Sequence, residues 1–119
     1  MTAVDQDFLD AAIKQIRPDL FQDYEIFKSR EMLLEWCPKN VHKATGLEAL
    51  ATILGLKADQ VMACGDEAND LSMIQWAGLG VAMGNAIPAV KEVAALVAPV
   101  TNDQDAVAWA IENYVLKEL

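Results

Sequence analysis

Val61-Met62-Ala63-Cys64-Gly65-Asp66-Glu67-Ala68-Asn69-Asp70 runs from apolar and small residues straight into a glycine and a loop rich in carboxylates. A short apolar run bounded by turn residues reads as a buried strand over 61–64. Residues 70–77 then read as a short helix closed by Gly78, so the acidic loop joins the carboxyl end of a strand to a helix. In open α/β sheets ligands bind beyond the carboxyl ends of the strands, which places this loop where chemistry is expected.

On the C-terminal side of this stretch the same order repeats. Residues 80–83 and 96–98 read as two more short apolar strands, with a helix over 88–95 that carries Pro88 in its first turn. Asn102 and Asp103 have N-cap character for a last helix with the stripe Ala106, Val107, Ala110, Ile111 and Tyr114. Before the acidic loop, Leu47, Leu50, Ala51 and Leu54 form a helical stripe, and Gly55 stands where a left-handed cap is wanted. Alternating helices and short, continuously apolar strands indicate an α/β class: a partial Rossmann-like parallel sheet with flanking helices. Three parallel strands make a thin sheet, and the fold reads as incomplete.

The first third differs. Phe8, Leu9, Ala12, Ile13 and Ile16 share one face of a helix over 5–16, ended by Pro18. Residues 24–28 and 32–36 read as a β-hairpin, and the pattern breaks at Pro38. The expected modules are therefore 1–38 and 39–119. Trp36, Trp76 and Trp109 have spacings that suit core packing.

Composition narrows the function classes. With 119 residues, 54% of them hydrophobic, the chain fits one small folded domain or a compact core with an appendage. A net charge of −9 without a basic cluster argues against nucleic acid and anionic membranes as partners. No apolar run approaches the roughly twenty residues of a membrane span, and no signal-peptide pattern opens the chain, so a cytoplasmic protein is expected. Cys37 and Cys64 have no metal or redox spacing and read as reduced thiols.

Asp66, Glu67 and Asp70 on one tight loop would repel one another, and a hard divalent cation with oxygen ligands would relieve that repulsion. Magnesium suits the site because it needs only one or two carboxylates beside waters and a phosphate. The plainer alternative is a Gly65-Asp66 turn with Asn69 or Asp70 capping the helix. Lys43 at the start of the next upstream helix opposes the helix dipole, a conflict that a bound phosphate would resolve; the alternative is a solvated surface lysine. In the run 80–86, Gly80 and Gly84 serve either a ligand or a tight connection, and Asn85 stays open between those roles. His42, the single histidine, has no patterned carboxylate or nucleophile around it and reads as a loop residue.

Taken together, Lys43, the Gly65-Asp66-x-x-Asn69-Asp70 loop, the run 77–86 from Ala77-Gly78 to Asn85-Ala86, and Val90-Lys91-Glu92-Val93-Ala94 resemble the Cof-type branch of the haloacid dehalogenase-like phosphatases. The likeness spans nearly the whole chain. It implies a magnesium-dependent phosphomonoester hydrolase acting on a phosphorylated small molecule, with sugar phosphates and phosphorylated cofactors both suitable. By the same resemblance Lys43 is the catalytic lysine that orients the nucleophile and phosphoryl group, Asp66 holds Mg2+, Asp70 supports the metal or its waters, and Asn69 binds phosphate or orients the loop. Residues 1–38 would be the end of an inserted cap domain and 39–119 the C-terminal half of the catalytic core.

The sequence departs from that family in two ways. Ala44 stands where glycine often follows the lysine, and no Asp-x-Asp follows an apolar strand; Asp5-Gln6-Asp7 precedes a helix instead. The nucleophilic aspartate and its general-acid partner have no counterpart, so the chain is expected to be a fragment that is inactive alone. A missing sheet partner would leave a strand edge open to a homodimer or swapped oligomer. A non-catalytic Mg2+- or phosphate-binding assembly module is the competing reading.

Overall fold

The computed structural model describes residues 5–118. The chain forms two compact units, Met1–His42 and Lys43–Leu119.

In the first unit, helix α1 (Gln6–Ile13) starts at Asp5, whose side chain accepts the Phe8 N–H at 2.9 Å. A four-residue helical turn, α2 (Leu20–Asp23), leads into strand β1 (Tyr24–Arg30), which pairs antiparallel with β2 (Leu33–Pro38). The hairpin is longer than the sequence suggests, because the polar Ser29 and Arg30 belong to β1 and a register shift between Lys28 and Arg30 absorbs the irregularity. Leu9 and Leu34 are fully buried in a small core joined by Ile13, Ile16 and Ile26. Two positions read as core from spacing lie outside it. Phe8 is 66% exposed, and Trp36 is exposed beside the Tyr24 ring, 6.0 Å away. Strand β2 runs through Pro38, and the Lys39 N–H reaches the Asp23 carbonyl at 2.9 Å, so the hairpin ends beyond the break expected at Pro38. A hollow of about 490 Å³ opens beside the partly buried Lys28–Asp10 ion pair.

In the second unit, α3 (Lys43–Leu54) precedes a parallel sheet of β3 (Met62–Gly65), β4 (Leu79–Ala82) and β5 (Leu96–Val97). The order is β3-β4-β5, so β3 forms one edge and its outer side has no strand partner among the described residues. Helices α4 (Leu71–Trp76), α5 (Pro88–Val93) and α6 (Ala106–Tyr114) complete the alternation. The core is built from small side chains: Ala63, Val81, Ala82, Val90, Ala98, Ala106 and Ala110, with Ile74 and Met83 as the larger fillers. Gly55 adopts φ +68 at the end of α3, the left-handed cap that its position requires.

Two apolar stripes are wider than the faces they bury. On α3, Ala44 and Ala51 are buried, whereas Leu50, Ile53 and Leu54 are 51%, 80% and 60% exposed. On α6, Ala106 and Ala110 are buried, while Val107, Ile111 and Tyr114 stay exposed. Asn102 does not cap α6, because Asn102–Gln104 forms a separate 3-10 turn and Asp105, at φ 61, occupies the cap position. Among the described residues no helix is long and apolar enough to cross a membrane.

Candidate functional site

Strand β3 delivers Gly65 and the acidic loop to one end of the sheet. A Cβ on Gly65 would sit 2.5 Å from the Asp70 Cβ and 2.7 Å from its Oδ2. The missing side chain is what lets Asp70 fold back over the strand end. There, Asp70 Oδ2 accepts the backbone N–H groups of Asp66 at 2.9 Å and Glu67 at 3.1 Å. Its Oδ1 accepts from the Lys43 ammonium at the start of α3.

Asp70 is only 4% exposed. Burial pushes its carboxyl pKa up, but the Lys43 hydrogen bond, the two backbone donors and the lysine charge outweigh that effect and hold it below its ordinary value. Asp70 is therefore ionised at neutral pH, and Lys43 is pinned by it. Both Asp70 oxygens are engaged by the protein, Oδ1 by Lys43 and Oδ2 by the loop backbone. It makes no side-chain cap bond to α4, while its bond to the Glu67 N–H completes a capping box over the 3-10 turn Ala68–Asp70.

The start of α3 likewise differs from a vacant anion site. Lys43 is engaged by Asp70, and the Ala44 N–H donates to Ser72 Oγ at 3.3 Å. Ser72 carries no motif of its own, and only the folded chain brings it here from α4. Asn69 sits half-buried in the 3-10 turn Ala68–Asp70 of the same loop.

Asp66 is held differently. Its Oδ2 accepts from Asn85 Nδ2 at 3.2 Å and from Asn102 Nδ2 at 2.8 Å, and its carbonyl accepts the Ile87 N–H at 2.9 Å. The Asn102 backbone N–H donates to Asn85 Oδ1 at 2.8 Å, which fixes the direction of the Asn85 amide. The turn before Asn85 is itself anchored: Lys91 Nζ donates to the Gly84 carbonyl at 2.6 Å, and the Gly84 N–H donates to the Val100 carbonyl at 2.8 Å. Gly84 thus serves the strand-to-turn connection, where a Cβ would lie 2.6 Å from that Val100 oxygen.

No group of three or more His, Cys, Asp or Glu side chains able to hold a metal occurs among the described residues. The donor set on offer is one half-buried carboxylate, Asp66, with Oδ2 occupied by two amides. That set fits magnesium, which needs few protein carboxylates beside water and a phosphate, and does not fit an all-protein cage such as calcium often occupies.

The parallel sheet, the acidic loop at its carboxyl end and the lysine pinned beside it make this an α/β protein with a charged cluster at the strand ends. A family described as haloacid dehalogenase-like hydrolase matches residues 1–111. A candidate phosphatase from Streptococcus pyogenes is 42% identical over 117 residues, 98% of this chain and 43% of its own. The Bacillus subtilis protein named 5-amino-6-(5-phospho-D-ribitylamino)uracil phosphatase YcsE is 39% identical over 112 residues, 94% of this chain and 44% of its own. A crystal structure of a haloacid dehalogenase-like hydrolase from Bacteroides thetaiotaomicron superposes with a TM-score of 0.80 at 40% identity, covering 93% of this chain and 41% of that one. The sugar phosphatase BT4131 superposes with a TM-score of 0.75 at 29% identity, covering 87% of this chain and 39% of that one. The chain belongs to the haloacid dehalogenase-like hydrolase family, as its motifs suggest, and spans less than half the length of these relatives.

Proposed function

We propose that this chain carries the C-terminal half of the catalytic core, together with the end of the cap, of a Cof-type, Mg2+-dependent phosphomonoester hydrolase acting on a small phosphorylated molecule. The observation that carries the reading is the pairing of two differently held aspartates on one loop: Asp70 clamps Lys43, and Asp66 keeps an oxygen clear of its amide donors.

In this reading Asp66 binds Mg2+, Lys43 neutralises and orients the phosphoryl group and its nucleophile, Asn69 lies along the phosphate, and Asp70 positions Lys43. Bound magnesium supplies charge stabilisation as the phosphoryl group transfers. Residues 1–38 belong to the cap and 39–119 to the core. A sugar phosphate or similar phosphorylated metabolite is the substrate class, supported by the names of two relatives. The free thiols Cys37 and Cys64 suit the reducing cytoplasm.

The 119 residues contain no Asp-x-Asp on an apolar strand, and Asp5 caps α1, so the chain by itself lacks a nucleophile and is inactive. That absence also favours one second reading, a module that binds Mg2+ or phosphate without turnover. The open outer edge of β3 and the exposed Leu50, Ile53 and Leu54 support pairing with a further polypeptide, a second copy included.

Thermal unfolding with and without MgCl2 tests the metal assignment. A native-state site raises the midpoint by linkage, and Asp66→Asn removes the rise. An unchanged midpoint in the unmodified chain would leave the acidic loop as a structural turn.

A further inference from the structure

Two side-chain amides hold the Asp66 carboxylate through the same oxygen, Oδ2. Asn85, on the turn after β4, and Asn102, on the turn before α6, both place Nδ2 on Oδ2, at 3.2 and 2.8 Å. These residues lie 19 and 36 positions from Asp66 in the sequence, so three separate segments converge on a single carboxylate. Asn102 acts twice: its side chain donates to Asp66, and its backbone N–H holds Asn85 Oδ1, so that the other end of the Asn85 amide must donate. Both amide donors therefore meet the same carboxylate oxygen, Oδ2.

We propose that Asn102, with Asn85, is a positioning residue that holds Asp66 as a one-oxygen ligand and thereby sets the site's preference for magnesium over calcium. The inference rests on the assignment of Asp66 as the cation ligand. Mg2+ demands near-octahedral geometry and takes carboxylates one oxygen at a time, whereas Ca2+ accepts bidentate carboxylates and larger coordination numbers. Two amide donors on Oδ2 occupy the oxygen that bidentate binding would need. Outer partners of a metal ligand are worth about 10–100-fold in metal affinity.

The test uses the full chain, labelled with 15N, and titrations with MgCl2 and with CaCl2 followed by NMR. Without metal, the side-chain amide signals of Asn85 and Asn102 are shifted and slow to exchange, and Asp66→Ala returns both to free-amide behaviour. Asn102→Ala keeps the backbone N–H and shifts the ratio of Mg2+ to Ca2+ affinity by about tenfold toward Ca2+. Asn85→Ala shifts it the same way. A merely structural role would weaken both cations in parallel, and an unchanged ratio, with Asp66→Asn abolishing binding of both, overturns the positioning role alone. If Asp66→Asn leaves cation binding intact, or the unmodified chain binds neither cation, the assignment of Asp66 falls and the inference with it.

Discussion

The Asp70 carboxylate accepts from the Lys43 ammonium across 27 residues of sequence, and its second oxygen takes two backbone N–H groups of its own loop. One buried side chain therefore ties the start of α3 to the acidic loop at the end of β3. Loop shape and lysine position are coupled through it, so a change at residue 70 reaches both.

Asp70→Ala leaves the two backbone donors and the lysine without their acceptor. Because Lys43 is 47% exposed, water recovers part of its loss, and the main cost comes from the stranded N–H groups. The expected destabilisation is about 2 kcal/mol, read from urea unfolding midpoints at neutral pH.

The same group sets an acid limit. Its pKa lies below the ordinary 3.8 in the folded protein, so its stabilising contribution is fully present above that value and disappears as pH falls through the lower, folded one. The stability gap between the unmodified chain and Asp70→Ala should be constant from neutral pH down to about pH 5 and should close below about pH 4.

Gly65→Ala introduces a Cβ only 2.5 Å from the Asp70 Cβ. Either Asp70 moves or β3 does, and both break the clamp on Lys43. The substitution should destabilise by about 1–3 kcal/mol, measured by thermal unfolding, and should abolish any Mg2+-induced stabilisation.

Association should depend on concentration and on α3. Ile53 is 80% exposed on the helix whose outer stripe is left bare. Ile53→Lys should therefore cost less than about 0.5 kcal/mol in stability while shifting the chain toward monomer in sedimentation experiments. A chain that is monomeric at every concentration would remove the pairing argument.

Much of this was legible in the sequence because local patterns encode it. The apolar run before Gly65, Gly55 as a cap and Lys43 opening a helix each depend on neighbours within a few residues, and each takes the expected form. Coverage is not local. Periodicity marks Leu50 and Leu54 as apolar but says nothing of whether another surface meets them, and here none of the described residues covers them fully. Asn102 shows the same limit at the site. Its cap-like character is a local property, whereas its bond to Asp66 exists only after three segments meet. Spacing likewise brings Asp66 and Asp70 together as like carboxylates, and only the fold divides them into one buried clamp on Lys43 and one half-buried carboxylate held by two amides.

The most direct test is Mg2+-dependent hydrolysis of p-nitrophenyl phosphate by this chain, alone and mixed with the part of the Streptococcus pyogenes relative that it does not match. The expected result is no turnover alone, turnover in the mixture, and its loss with Lys43→Ala or Asp66→Asn. Turnover by the chain alone that Asp66→Asn abolishes, or a folded mixture that stays inactive, would contradict it.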